Sequence, residues 1–193
     1  MLHSARAFRR ARDPLMPKSD PSLTISPARP DDIGLVQRLA HEIWHRHYPG
    51  IITVEQIDYM LERGYAEEAL LPLVAPDGRG IAPADRGIAL ARIDGTPVGF
   101  VAWCPDGENA AMKLEKLYVL PEHHGKGIGR ALIEHVAGRA RDAGCRSLTL
   151  NVNRSNTASV RAYQHCGFTI AASGDFPIGG GFVMEDYVML RDI

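Results

Sequence analysis

The chain has 193 residues, 45% of them apolar, with 22 basic and 23 acidic side chains and a formal net charge of −1. That length supports one well-buried domain and falls short of two. Near-neutral charge without a Lys/Arg stripe interleaved with aromatics argues against a nucleic-acid partner, and no apolar run reaches membrane-spanning length.

Residues 1–22 carry five basic side chains, two acids and three prolines, and read as a flexible basic tail. The tail fits an unremarkable extension or an upstream start, with Met16 as an alternative start, better than an organelle transit peptide. Residues 23–193 form the expected domain. Leu23 to Ser26 predicts a first strand. Pro30-Asp31-Asp32 then opens a helix whose apolar stripe is Ile33, Val36, Leu39, Ala40 and Ile43, ending before Pro49-Gly50. Thr53 caps a second helix with Val54, Ile57 and Leu61 facing inward, and residues 75–86 read as a loop.

Strands follow over 88–93 and 97–104, joined at Asp94-Gly95, a strong hairpin signal. A strand over 113–119 feeds a turn containing Gly125, Gly127 and Gly129. The next helix places Ile128, Ala131, Leu132, Val136 and Ala140 on one face and stops at Gly144. Residues 147–153 alternate as a half-buried strand, Asn156 caps a short helix ending before Gly167, and strands over 168–171 and 182–190 complete the chain. Alternating helices and strands predict an α/β, layered architecture. Cys104, Cys145 and Cys166, odd in number and without metal-ligand spacing, read as reduced thiols in a cytoplasmic protein.

The glycine turn is the most informative stretch. Strand, glycines and helix N-terminus together let backbone N–H groups approach a phosphate. A dinucleotide fold wants its third glycine two residues later and an acid about twenty residues on. A P-loop wants Gly-Lys followed by Ser or Thr, whereas Gly125-Lys126 is followed by Gly127. A ligand-free turn needs at most one glycine.

His124-Gly125-Lys126-Gly127-Ile128-Gly129 resembles the coenzyme-A pyrophosphate motif, Q/R-x-x-G-x-G/A, of the GNAT superfamily of N-acetyltransferases, with His124 at the Gln/Arg position. NTASVRAYQHCGF over 156–168 resembles the family's second signature. LYVLPEHHGKGIG, LNVNRSN and FVMEDYVML are similar to small bacterial members, and the resemblance covers about 170 residues from Leu23 onward. It implies a twisted mixed sheet flanked by helices, with a splay between the strand before the glycine turn and the next strand. It also implies acetyl-CoA as cofactor, no metal, and a small-molecule or peptide amine as acceptor, polyamines included. Many relatives form homodimers.

By the same resemblance, backbone N–H groups around Leu117, Val119 and Leu120 meet the pantetheine arm. His124, Gly125, Lys126, Gly127, Ile128, Gly129 and Arg130 cradle the pyrophosphate, and Asn156 contacts the coenzyme. Tyr163 matches the family tyrosine that meets the sulfur, and a phenol there can protonate a departing thiolate. Glu115, beside the splay, is the candidate base; alternation puts Lys113, Glu115 and Leu117 on one face. Trp44, His45, Tyr48, Tyr118 and Asn151 are candidates for the acceptor pocket. A non-catalytic coenzyme-binding domain is the alternative. A third reading is a zinc hydrolase, from His41-Glu42-Ile43-Trp44-His45; this HExxH lacks the extended continuation and sits on an ordinary polar helix face.

Overall fold

The computed structural model describes residues 22–74, 85–107 and 110–193. The basic tail, apart from residue 22, and most of the 75–86 loop lie outside them. The chain runs β1 (Leu23–Pro27), α1 (Ile33–His47), α2 (Val54–Gly64), α3 (Glu67–Val74), β2 (Gly87–Ile93), β3 (Thr96–Pro105), β4 (Ala111–Val119), α4 (Ile128–Asp142), β5 (Ser147–Asn153), α5 (Thr157–His165), β6 (Thr169–Gly179) and β7 (Phe182–Asp192).

The strands form one seven-stranded mixed sheet in the order β1-β2-β3-β4-β5-β7-β6. Among the described strands only β4 and β5 run parallel, joined by the α4 crossover. The Asp94-Gly95 turn folds as its sequence demands, with φ of 49° and 81° at its two central residues. The two faces of the sheet carry separate cores. Ile128, Leu132, Val136 and Ala140 of α4 pack on Val101, Trp103, Leu148 and Met189. On the opposite face Val36, Ala40 and Ile43 of α1, Ile57 of α2 and Leu70 of α3 pack on Leu90, Phe100 and Ala102.

Several expectations need correction. The eight-residue α3, which contains Pro72, occupies a stretch to which the sequence reading assigned no element. Its apolar run is too short to show a helical period. Val54 is 53% exposed rather than inward; as the first helical residue it lies beyond the edge of the core, and Ile57 alone of the three is fully buried. The strand expected over 168–171 continues to Gly179 as an exposed partner of β7.

Two irregularities place the site. Between Ala102 and Trp103 the β3–β4 register slips, leaving Glu115 with no opposite residue. Such a bulge bends its strand. Leu114 and Leu117, three residues apart, therefore both reach the α4-side core. Beyond this point β4 and β5 part: their pairing covers only Ala111–Lys113 against Ser147–Thr149.

Candidate active site

The gap between β4 and β5 opens into a cavity of about 910 Å³, walled by α1, α2, α5, the glycine turn and the β6–β7 hairpin. At one end the 121–129 segment passes from β4 into α4. Gly125 and Gly127 hold φ of 74° and 79°, a region that disfavours any side chain, and nothing lies within 4 Å of where a Cβ would sit on either. Gly127 caps α4, so the first N–H groups of that helix, backed by its dipole, face this space.

The β4 edge supplies further donors. Leu120 N–H donates to Val98 O at 2.9 Å. Hydrogen-bonded and non-bonded pairs alternate along antiparallel strands, so Leu117 and Val119, opposite Val101 and Gly99, turn their N–H groups away from β3. On that side β5 has already departed. Leu120 was expected to offer a free N–H as well; β3 takes it, and its side chain is buried in the α1-side core.

Other expected residues divide in the same way. Leu117, Val119, His124, Gly125, Gly127, Ile128, Gly129, Arg130, Asn156 and Tyr163 all border the cavity, as do Glu115, Trp44, Tyr48, Tyr118 and Asn151. Lys126 and His45 do not. Lys126 Nζ lies 3.5 Å from His123 Nδ1. His45 sits on the far face of α1, its Nε2 3.1 Å from Asp58 Oδ1 and its Nδ1 2.9 Å from His41 O, tying α1 to α2.

The zinc-like motif is thereby accounted for. The His41 and His45 rings stack at 4.2 Å, and Glu42 bonds Arg46 at 3.0 Å. Among the described residues no three His, Cys, Asp or Glu side chains converge as metal ligands. His124 bends inward, its Nε2 donating to Val119 O at 2.8 Å, and so pins the turn to the end of β4.

Asn156 does two jobs. Its Oδ1 accepts from Ser159 N at 3.3 Å, capping α5, while its Nδ2 donates to His47 Nε2 at 3.0 Å across the cleft. Burial, with His124 close by, lowers the His47 pKa below 6.5. Tyr163, half-buried on α5, packs edge-on to Phe168. Burial, together with Tyr48 and Cys166, pushes its phenol well above 10. Trp44, Tyr48, Tyr118 and Phe100 form a stiff aromatic wall with neighbouring centroids 4.5–5.7 Å apart, and the hydroxyls of Tyr48 and Tyr118 approach to 3.3 Å. Glu115 is exposed and paired with Lys116 at 2.8 Å.

Sequence reading missed His47, Tyr65 and Asp186, which also border the cavity. For Asp186 a signal existed: it falls in phase with Met184 and Val188 on an alternating strand, where an acid is out of place.

A mixed sheet parted beside a glycine-capped helix defines an acyltransferase fold with room for a coenzyme. Comparison with known proteins supports that class. The model of the acetyltransferase (GNAT) family matches residues 40–168, and the chain belongs to that family and is an N-acetyltransferase. An uncharacterized N-acetyltransferase of Mycobacterium tuberculosis is 38% identical over 108 residues, 56% of this chain and 68% of the relative. Spermidine N(1)-acetyltransferase of Thermoplasma acidophilum is 27% identical over 155 residues, 80% of this chain and 91% of that one. Among solved structures, the PaiA N-acetyltransferase of Thermoplasma acidophilum in complex with coenzyme A superposes with a TM-score of 0.74 at 24% identity, covering 89% of this chain and 99% of that one, a likeness of fold.

Proposed function

We propose that this protein transfers an acetyl group from acetyl-CoA to a primary amine, with both substrates bound together in the cleft of a domain spanning residues 23–193. The observation that carries this reading is the parted β4–β5 edge. Two backbone N–H groups there face a gap that ends on a glycine-capped helix. Acetyl-CoA supplies the acetyl group as an activated thioester.

Gly125, Gly127, Ile128, Gly129 and Arg130 hold the pyrophosphate through backbone N–H groups, the α4 dipole and one guanidinium. Leu117 and Val119 N–H pair with the pantetheine arm as a missing strand would, and one of them polarises the carbonyl under attack. Asn156 orients toward the coenzyme from the α5 cap. The acceptor approaches from the α1–α2 side, past Trp44, Tyr48, Tyr118 and Asn151. Glu115, exposed at the bulge, receives the ammonium proton directly or through water, leaving a neutral amine to attack.

Tyr163 donates toward the departing sulfur. With its phenol well above 10, the hydroxyl keeps its proton at every working pH. Hydrogen bonding therefore stabilises the growing thiolate charge, and a proton passed from Tyr163 to sulfur is replaced by the one the attacking amine sheds. The test is free-thiol release from acetyl-CoA with polyamines, amino acids, aminoglycosides and peptides. Thiol release dependent on one amine class supports the reading. Absence of both release and acetyl-CoA binding overturns it.

A further inference from the structure

We propose that Asp186 anchors a second cationic group of the acceptor, so that the amine acetylated is one end of a diamine-like molecule whose other end carries a positive charge. This rests on the acetyl-transfer reading and names the substrate class of the same cleft.

Asp186 lies in the middle of β7, opposite Asn153 of β5 and Gly174 of β6. It is 5% exposed, and its Oδ1 is shut off from solvent with no hydrogen-bond partner among the described residues. Yet it borders the cavity that holds Tyr163 and Glu115. A buried carboxylate with one oxygen unpartnered is costly to keep, and the charge it lacks is positive.

The surrounding cations do not supply it. Arg154 Nη2 is engaged by Asp175 at 2.7 Å and Glu185 at 3.7 Å. Lys113 faces Asp186 from β4 but forms no salt bridge with it among the described residues. Asn151 hydrogen-bonds the carboxylate and Tyr48 lies close by, but both are neutral and leave the negative charge unbalanced. Burial raises the Asp186 carboxyl above its ordinary range, and Asn151, Lys113 and Arg154 draw it only partly back. A bound ammonium favours the ionised form.

The approach to this carboxylate is apolar. Met184 shares the Asp186 face of β7 by alternation, and Phe176 sits opposite Met184. Ile178 and, from α2, Met60 complete the strip along the same cavity. The hairpin bearing it is held against α2, with Tyr59 donating to Ile178 O at 3.0 Å and Gln56 Nε2 to Val183 O at 3.2 Å. An apolar strip ending in an unpaired acid suits an alkyl chain tipped with an ammonium. Glu115 then serves the reacting end and Asp186 the distant one.

The test is calorimetric titration of the full chain, with CoA bound, by 1,5-diaminopentane and by pentylamine. Wild type is expected to bind the diamine at least tenfold more tightly, and Asp186→Asn to reduce the diamine to the monoamine level. Asp175→Asn, a carboxylate on the same hairpin, should leave the difference intact. In turnover, Asp186→Asn should raise KM for the diamine about tenfold or more with kcat within twofold. Its Tm should match or exceed wild type, because a burdensome charge is gone; a structural role for Asp186 would lower it. Equal diamine binding by wild type and Asp186→Asn overturns the inference, as does an equal fall in kcat toward both amines, which would make Asp186 a base. CoA binding, measured first, reports separately on the acetyltransferase reading. If CoA fails to bind, that reading falls, and the same diamine titration on the free protein still decides the role of Asp186.

Discussion

Two glycines two residues apart should respond to the same added methyl group with opposite signs. Gly127 caps α4 at φ 79° and ψ 0°, with open space where a Cβ would lie. An L-residue forced into this region costs about 1–2 kcal/mol. In a domain of this size each kcal/mol moves Tm by about 2–4 °C, so Gly127→Ala should lower Tm by about 2–8 °C. Gly129 lies within the helix, and its nearest non-local atom, Leu117 Cδ2, is 4.0 Å from the built Cβ. Alanine there recovers up to about 1 kcal/mol of helix propensity and should raise Tm by about 2–4 °C. Acetyl-CoA affinity should separate the pair again. The methyl of Gly127→Ala enters the space assigned to the pyrophosphate and should weaken binding by about 10–100-fold, or about 1.4–2.8 kcal/mol. Gly129→Ala, a residue the family motif allows, should bind nearly as wild type. Differential scanning calorimetry and isothermal titration read the two effects. If Gly127→Ala loses stability but keeps its affinity, the anion does not sit in this turn.

The remaining predictions concern the chemistry and the sheet. Tyr163→Phe should lower kcat by about 10²–10³-fold with acetyl-CoA affinity unchanged, in single-turnover and titration experiments. Glu115→Gln should lower kcat/KM for the amine by about 10²-fold or more; unchanged turnover removes Glu115 as the base. Gly99→Ala should cost about 1–3 kcal/mol by urea denaturation, because its Cβ would sit 2.5 Å from Tyr118 O and 3.1 Å from Val119 Cα, forcing β3 from β4. His47 binds its proton less readily folded than unfolded. Its contribution is therefore present above pH 6.5 and lost as pH falls through that value toward the lowered one. The urea midpoint should drop between pH 7.5 and 5.5, and His47→Gln should reduce that drop. His135, also lowered, acts in the same direction.

What was legible in the residues was local. The 3.6-residue stripes of α1 and α4, the Asp94-Gly95 turn and the glycine run each write their geometry within a few positions. The parting of β4 from β5 is not local. Lys113, Glu115 and Leu117 alternate as an unbroken strand should, and only the register against β3 shows that Glu115 has no partner, so that Leu117 turns to the opposite face. His47 and Asn156 meet across 109 residues, and Asp186 becomes unusual only once its neighbours are known. Isolated side chains carry no record of such long-range placements. His45 failed for a simpler reason: it lies one residue from Trp44, which turns inward, and a step of about 100° around α1 takes it out of the cleft.

The parted sheet has a mechanical consequence. Its two rafts, β1–β4 and β5–β7, are stitched by only three residue pairs at one end, like a book held by a short spine. Opening about that spine breaks little hydrogen bonding, whereas a ligand lying in the fold as an extra strand bonds along an otherwise open length. Such a ligand acts as part of the architecture. Without it the rafts are joined beyond that spine by α4 and the core beneath it; with it they are also tied strand to strand. Amide exchange at Leu117 and Val119 would report that joining directly, since these are the backbone groups the sheet leaves for a guest.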